Sequence, residues 1–126
     1  MLFTTVEENG VKVETVIENP ELAQGDYLNG TVYITTNEEE EHERIDYISL
    51  KILCKQPNGE HRIIGKHSYQ VVGSIRSKEA EMVPFELIPD ERWICNEWEQ
   101  LIFQTTVYFL DGTEIEKVGS IIYQNE

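Results

Sequence analysis

The stretch VKVETVIE, residues 11–18, sets Val11, Val13, Thr15 and Ile17 against Lys12, Glu14, Val16 and Glu18. Successive strand side chains point to opposite faces, so this alternation is that of a β-strand with one dry and one wet side. Short alternating or β-branched runs recur along the chain between Gly, Pro, Asn and Asp, and helical periodicity is almost absent. Strands are predicted at about 2–7, 11–18, 28–36, 44–55, 61–72, 79–88, 98–110 and 113–124, an all-β antiparallel sandwich of about eight strands. Val11, Val13 and Ile17 are predicted core. In RIDYISLKILCK, residues 44–55, Ile48, Leu50, Ile52 and Cys54 share a face opposite Lys51 and Lys55, which makes Cys54 a small buried hydrophobe. Asp111-Gly112 between two β-rich runs is the dipeptide that a two-residue type I′ hairpin requires, and it predicts that the last two strands are antiparallel neighbours.

A length of 126 residues suits one domain. Acids outnumber bases 24 to 10, for a net charge of −14, and such a field repels phosphate backbones and anionic membrane faces. Nucleic-acid binding is therefore not expected, and basic protein surfaces, cationic ligands or divalent metals are the partners that such a field attracts, which leaves a weak metal- or small-ligand-binding sandwich as an alternative reading. No run approaches the roughly 18 apolar residues that a membrane span needs, so no membrane insertion is expected. The opening MLFTTVEENG reaches Glu7 and Glu8 before any long apolar run and does not read as an export signal. Cys54 and Cys95 form neither a disulfide framework nor a ligand spacing, and the expectation is a cytoplasmic protein with reduced thiols.

The two glycines of AQGDYLNGTVYI, Gly25 and Gly30, lead into a strand and lack a following Lys-Ser or Lys-Thr, so they do not form a phosphate loop. Gly25 is expected in a turn, and Gly30 at a bulge or a close backbone approach. Glu38, Glu39, Glu40 and Glu41, followed by His42, read as a solvated loop tip and a candidate contact surface for a basic partner. His42, His61 and His67 have no metal-ligand spacing, no nucleophile elbow is present, and neither catalytic residue nor metal nor cofactor is expected. Of the aromatic residues Trp93, Trp98, Phe103, Tyr108 and Phe109, most belong in a core. Trp93, on a charged loop and expected to be partly exposed, and Trp98 are the candidate partner contacts.

VKVETVIENPELAQGDYLNGTVYI resembles the opening of arrestin-like domains, and most closely that of the bacterial sporulation-control family of arrestin-like proteins. Gly25-Asp26 matches the family's Gly-acid turn, Leu28 the apolar position after it, Gly30 the strand glycine, and Val32 and Ile34 the alternating core. The proline that usually precedes that turn glycine is Gln24 here, and Leu22 stands at the usual tyrosine position. Pro84, Phe85, Leu87 and Pro89 match a Pro-Phe-x-Leu-x-Pro stretch, and LIFQTTVYFLDGTEIEKVGSIIY looks like the next strand and hairpin. The resemblance implies an arrestin-like β-sandwich spanning residues 1–126 and a non-enzymatic regulatory adaptor or scaffold that recognises proteins through sheet edges and acidic loops. Family members carry two such halves where this sequence matches one, which implies association of two copies as a homodimer. An immunoglobulin assignment fits less well, because the two cysteines do not flank a tryptophan as that fold requires.

Overall fold

In a computed structural model of the chain, residues 1–8, 10–36, 45–70 and 80–124 are described, and their strands assemble into two sheets. The first has the order β1 (Leu2–Glu8), β2 (Val11–Ile17), β4 (Leu28–Thr36) and β7 (Ala80–Leu87). The second has the order β3 (Glu21–Ala23), β9 (Glu114–Gln124), β8 (Gln100–Phe109), β5 (Ile45–Lys55) and β6 (His61–Gln70). The alternation of residues 11–17 becomes a strand whose odd positions, Val11, Val13, Thr15 and Ile17, are all buried. Ile48, Leu50, Ile52 and Cys54 share the inner face of β5 and are fully enclosed. Residues 28–36 form an antiparallel strand between β2 and β7, as expected.

The sheets meet through paired side chains. Thr15 of β2 and Thr105 of β8 share a buried hydroxyl hydrogen bond of 2.8 Å, so both polar atoms keep a partner where water is excluded. Phe85 of β7 stacks on Phe103 of β8 with ring centroids 5.3 Å apart. Gly30 follows its sheet register without a bulge. A Cβ there would run into the carbonyl oxygen of Val16 and lie 2.5 Å from Phe85 Cζ, so the glycine lets the β7 ring lie flat against the strand backbone.

Three expectations are corrected. A ninth strand, β3, pairs parallel to β9 (Glu21↔Ile122, Ala23↔Gln124), so the second sheet is mixed rather than purely antiparallel. Three residues are too few to show a period of two, although Leu22 is fully buried there. The turn after it closes by the Asp26 N–H on the Ala23 carbonyl, with Gly25 at φ 95° in its third position, as the Gly-acid turn implied. The second correction concerns Asp111-Gly112. The Phe109 N–H bonds the Thr113 carbonyl and the Gly112 N–H bonds the Phe109 carbonyl, so the loop has three residues, Leu110 to Gly112, in place of a two-residue type I′ turn. The positive φ falls on Gly112 (92°), and Asp111 Oδ1 accepts the Thr113 N–H at 2.8 Å. Gln56–Glu60 repeats this device with Gly59 and Asn58. Because Gly112 has nothing within 4 Å of a built Cβ, Gly112→Ala should cost only the left-handed backbone strain, about 1–2 kcal/mol, read as a lowered urea midpoint. The third is Trp93, which is buried where partial exposure was expected.

The sheet edges are β1, β7, β3 and β6. Pro84 lies in edge strand β7, where its missing N–H disturbs no central ladder. β3 is short, and the β5–β6 pairing carries a bulge at Ile52/Leu53.

Candidate interaction site

The chain leaves β7 at Leu87 and must return to the other sheet at Gln100, and the segment between is the most elaborately braced loop among the described residues. Asp90 caps a single 3₁₀ turn, Glu91–Trp93, by accepting the Arg92 N–H at 2.8 Å, and its carboxylate also pairs with the Arg92 guanidinium at 2.7 Å. That guanidinium holds the Asp90 carboxyl below its usual range. Trp93 then turns inward and is 3% exposed, packed edge-on to Tyr123 of β9. The expectation of partial exposure for Trp93 is therefore overturned. An indole needs more apolar surface than a polar loop supplies, and the turn is short enough to deliver it to the core rim.

Trp98 has the opposite fate, at 71% exposed. It follows a tight turn in which Asn96 Oδ1 accepts the Trp98 backbone N–H (2.9 Å), the Asn96 carbonyl accepts the Glu99 N–H (3.1 Å), and Glu99 Oε1 accepts the Asn96 N–H (3.1 Å). The other Glu99 oxygen accepts from Gln56 Nε2 (2.7 Å) and from the Cys54 thiol (3.2 Å), which ties the turn to the end of β5. These donors, the Asn96 N–H first, hold the Glu99 carboxyl below its usual range. A large apolar ring is thus displayed on a fixed backbone, in a segment that also carries exposed Ile88 and Ile94 and the acids Asp90, Glu91 and Glu97.

Cys54 and Cys95, distant in sequence, come together here with their sulfurs 3.5 Å apart. Sequence reasoning missed this meeting, because it depends on the non-local β5–β8 register, Cys54↔Leu101, which sets the loop before β8 beside the end of β5. Burial, then the Glu99 and Cys95 contacts, pushes the Cys54 thiol up to about 12. Cys95 is half-buried. Iodoacetamide at about pH 8 should therefore label Cys95 well before Cys54 in the folded protein, and peptide mapping of partly alkylated material checks the order.

Beside the loop an open cleft of about 260 Å³ runs between Trp93, Glu99, Leu101 and Ile122. A second groove, about 530 Å³, lies between the sheets at Gly30, Pro84, Phe85 and Tyr69. His61 and His67 are exposed on β6, and among the described residues no three His, Cys, Asp or Glu side chains gather as a metal site. Glu38, Glu39, Glu40, Glu41 and His42 lie outside the described residues. Among the described residues no helix is long and apolar enough to cross a membrane.

No family model matches the chain, and no curated protein matches it. Among solved structures, Spo0M, a sporulation control protein from Bacillus subtilis, superposes with a TM-score of 0.71 at 21% identity, over 94% of this chain and 51% of that one. The two share one fold, the arrestin-like β-sandwich expected from the sequence, and this chain spans about half the length of that structure. A superoxide reductase from Ignicoccus hospitalis gives a TM-score of 0.46 at 10% identity, over 87% of this chain and 80% of that one. A β-glucosidase from Listeria innocua gives 0.43 at 12% identity, over 91% and 16%. Those two likenesses are too distant to carry an argument.

Proposed function

We propose that the chain is a non-enzymatic protein-interaction module, a regulatory adaptor that binds a basic protein surface through the Trp98 loop. The observation that carries this reading is the exposed Trp98 on a turn locked by Asn96 and Glu99. An aromatic side chain on a pre-organised backbone contributes contact area without the entropic cost of ordering a loop, which is the character of an interface anchor. The acids of the same segment and the charge of −14 favour a positively charged partner and accelerate the encounter. Glu38, Glu39, Glu40 and Glu41 supply four of the 24 acids behind that charge. The shared fold with a sporulation control protein supports a regulatory role of that kind in a bacterium.

Recovery of a partner from lysate of the source cells at rising salt tests the reading. A protein with a basic surface should be retained at low salt and released progressively as added ions screen the rim charges. Recovery of nothing above background at any salt contradicts it.

A further inference from the structure

We propose that Cys54 and Cys95 are a peroxide-sensitive dithiol that closes to an intramolecular disulfide, fastening the Trp98 loop to the end of β5. Three features of the structure combine here. The sulfurs are 3.5 Å apart without being bonded, so only a small movement separates them from a bond of about 2.05 Å. Cys95 is half-buried, on a loop outside the sheet ladders, and so is the sulfur a small oxidant meets first. The Cys54 thiol is sealed in the core and points its proton at Glu99 Oε2, 3.2 Å away.

The oxidant is hydrogen peroxide. The Cys95 thiolate attacks one peroxide oxygen, the S–O bond forms as the O–O bond breaks, and the hydroxide released takes a proton and leaves as water. The sulfur of Cys95 is now a sulfenic acid, oxidised by two electrons, and the peroxide is reduced. Cys54 then attacks the Cys95 sulfur: the S–S bond forms, the S–O bond breaks, and the departing hydroxide leaves as a second water. The Cys54 proton passes to the Glu99 carboxylate and on to that hydroxide, so two thiols and one peroxide become one disulfide and two waters. Burial, then the Glu99 and Cys95 contacts, keeps Cys54 protonated at rest, so its proton must leave as the S–S bond forms, and Glu99 Oε2, 3.2 Å away, is the acceptor that receives it. Gln56, which donates to the same Glu99 oxygen at 2.7 Å, holds the carboxylate in place, so Glu99 is the proton acceptor of the second step and Gln56 its positioning residue.

The test treats the wild-type protein with hydrogen peroxide and measures intact mass, free thiols and the melting temperature. The expected result is a monomer lighter by about 2 Da, with a peptide linking Cys54 to Cys95, no free thiol, a melting temperature raised by roughly 10 °C, and full reversal by dithiothreitol. In Glu99→Gln the same product should form about tenfold more slowly, with a dimedone-reactive sulfenic acid accumulating on Cys95. Oxidation of Cys95 to sulfinic acid while Cys54 stays free, or a Cys95–Cys95 dimer between chains, overturns the proposal. Equal rates in wild type and Glu99→Gln overturn the role given to Glu99.

Discussion

Phe103→Ala is expected to remove about 3–5 kcal/mol of stability, the range for emptying a phenyl ring from a closed core. Phe103 is 1% exposed and stands in β8, between β5 and β9, the strand that carries Thr105 to its partner in the opposite sheet. Its ring faces Phe85 at 5.3 Å, so truncation forfeits a ring pair as well as buried area. A domain of this size has a total stability of about 5–15 kcal/mol, so the variant should be marginal at 37 °C and show a much lower urea midpoint with an unchanged slope. A loss below about 1 kcal/mol would mean that the two sheets do not close on this side chain.

The second large effect is at Gly30. Gly30→Ala introduces a methyl group into the Val16 carbonyl oxygen on one side and the Phe85 ring on the other, 2.5 Å from Cζ. The ring can swing, whereas the carbonyl belongs to the ladder between β2 and β4 and can move only if the strands part. Overpacking of this kind costs about 1–3 kcal/mol, and more where backbone must shift, so a loss of about 3 kcal/mol is expected. Gly25→Ala is the matched comparison: φ is 95° but no atom lies within 4 Å, leaving backbone strain of about 1–2 kcal/mol. Thermal melts of the two variants should rank Gly30→Ala well below Gly25→Ala, and the reverse order would assign the Gly30 constraint to conformation instead of contact.

What could be read from residue order alone divides along the distance over which the determining interaction acts. The alternation in 11–17 and the shared face of Ile48, Leu50, Ile52 and Cys54 are local consequences of the pleat, and the structure shows both. The turn at Gly25 and the hairpin at Gly112 are also local, although a three-residue loop puts only the glycine at positive φ. β3 escaped because its three residues owe their strand conformation to a parallel partner some hundred positions away. Trp93 and Trp98 share one charged loop in the sequence, and nothing in their immediate neighbours distinguishes the buried ring from the displayed one. Tyr123 and the Asn96–Glu99 turn make that distinction, together with the β5–β8 register that also joins Cys54 to Cys95. The loop was therefore legible as the region that carries both indoles, and which of the two is displayed only in three dimensions.

The central claim, that the braced Trp98 loop is the partner-binding surface, is tested most directly by comparing wild type and Trp98→Ala for affinity toward the partner recovered from the source cells. Trp98 is 71% exposed and accepts no share of the core, so the variant should melt within a degree or two of wild type. The account predicts a loss of affinity of about 30-fold or more, the effect of truncating an aromatic anchor. An unchanged affinity in a fully folded Trp98→Ala protein would contradict it.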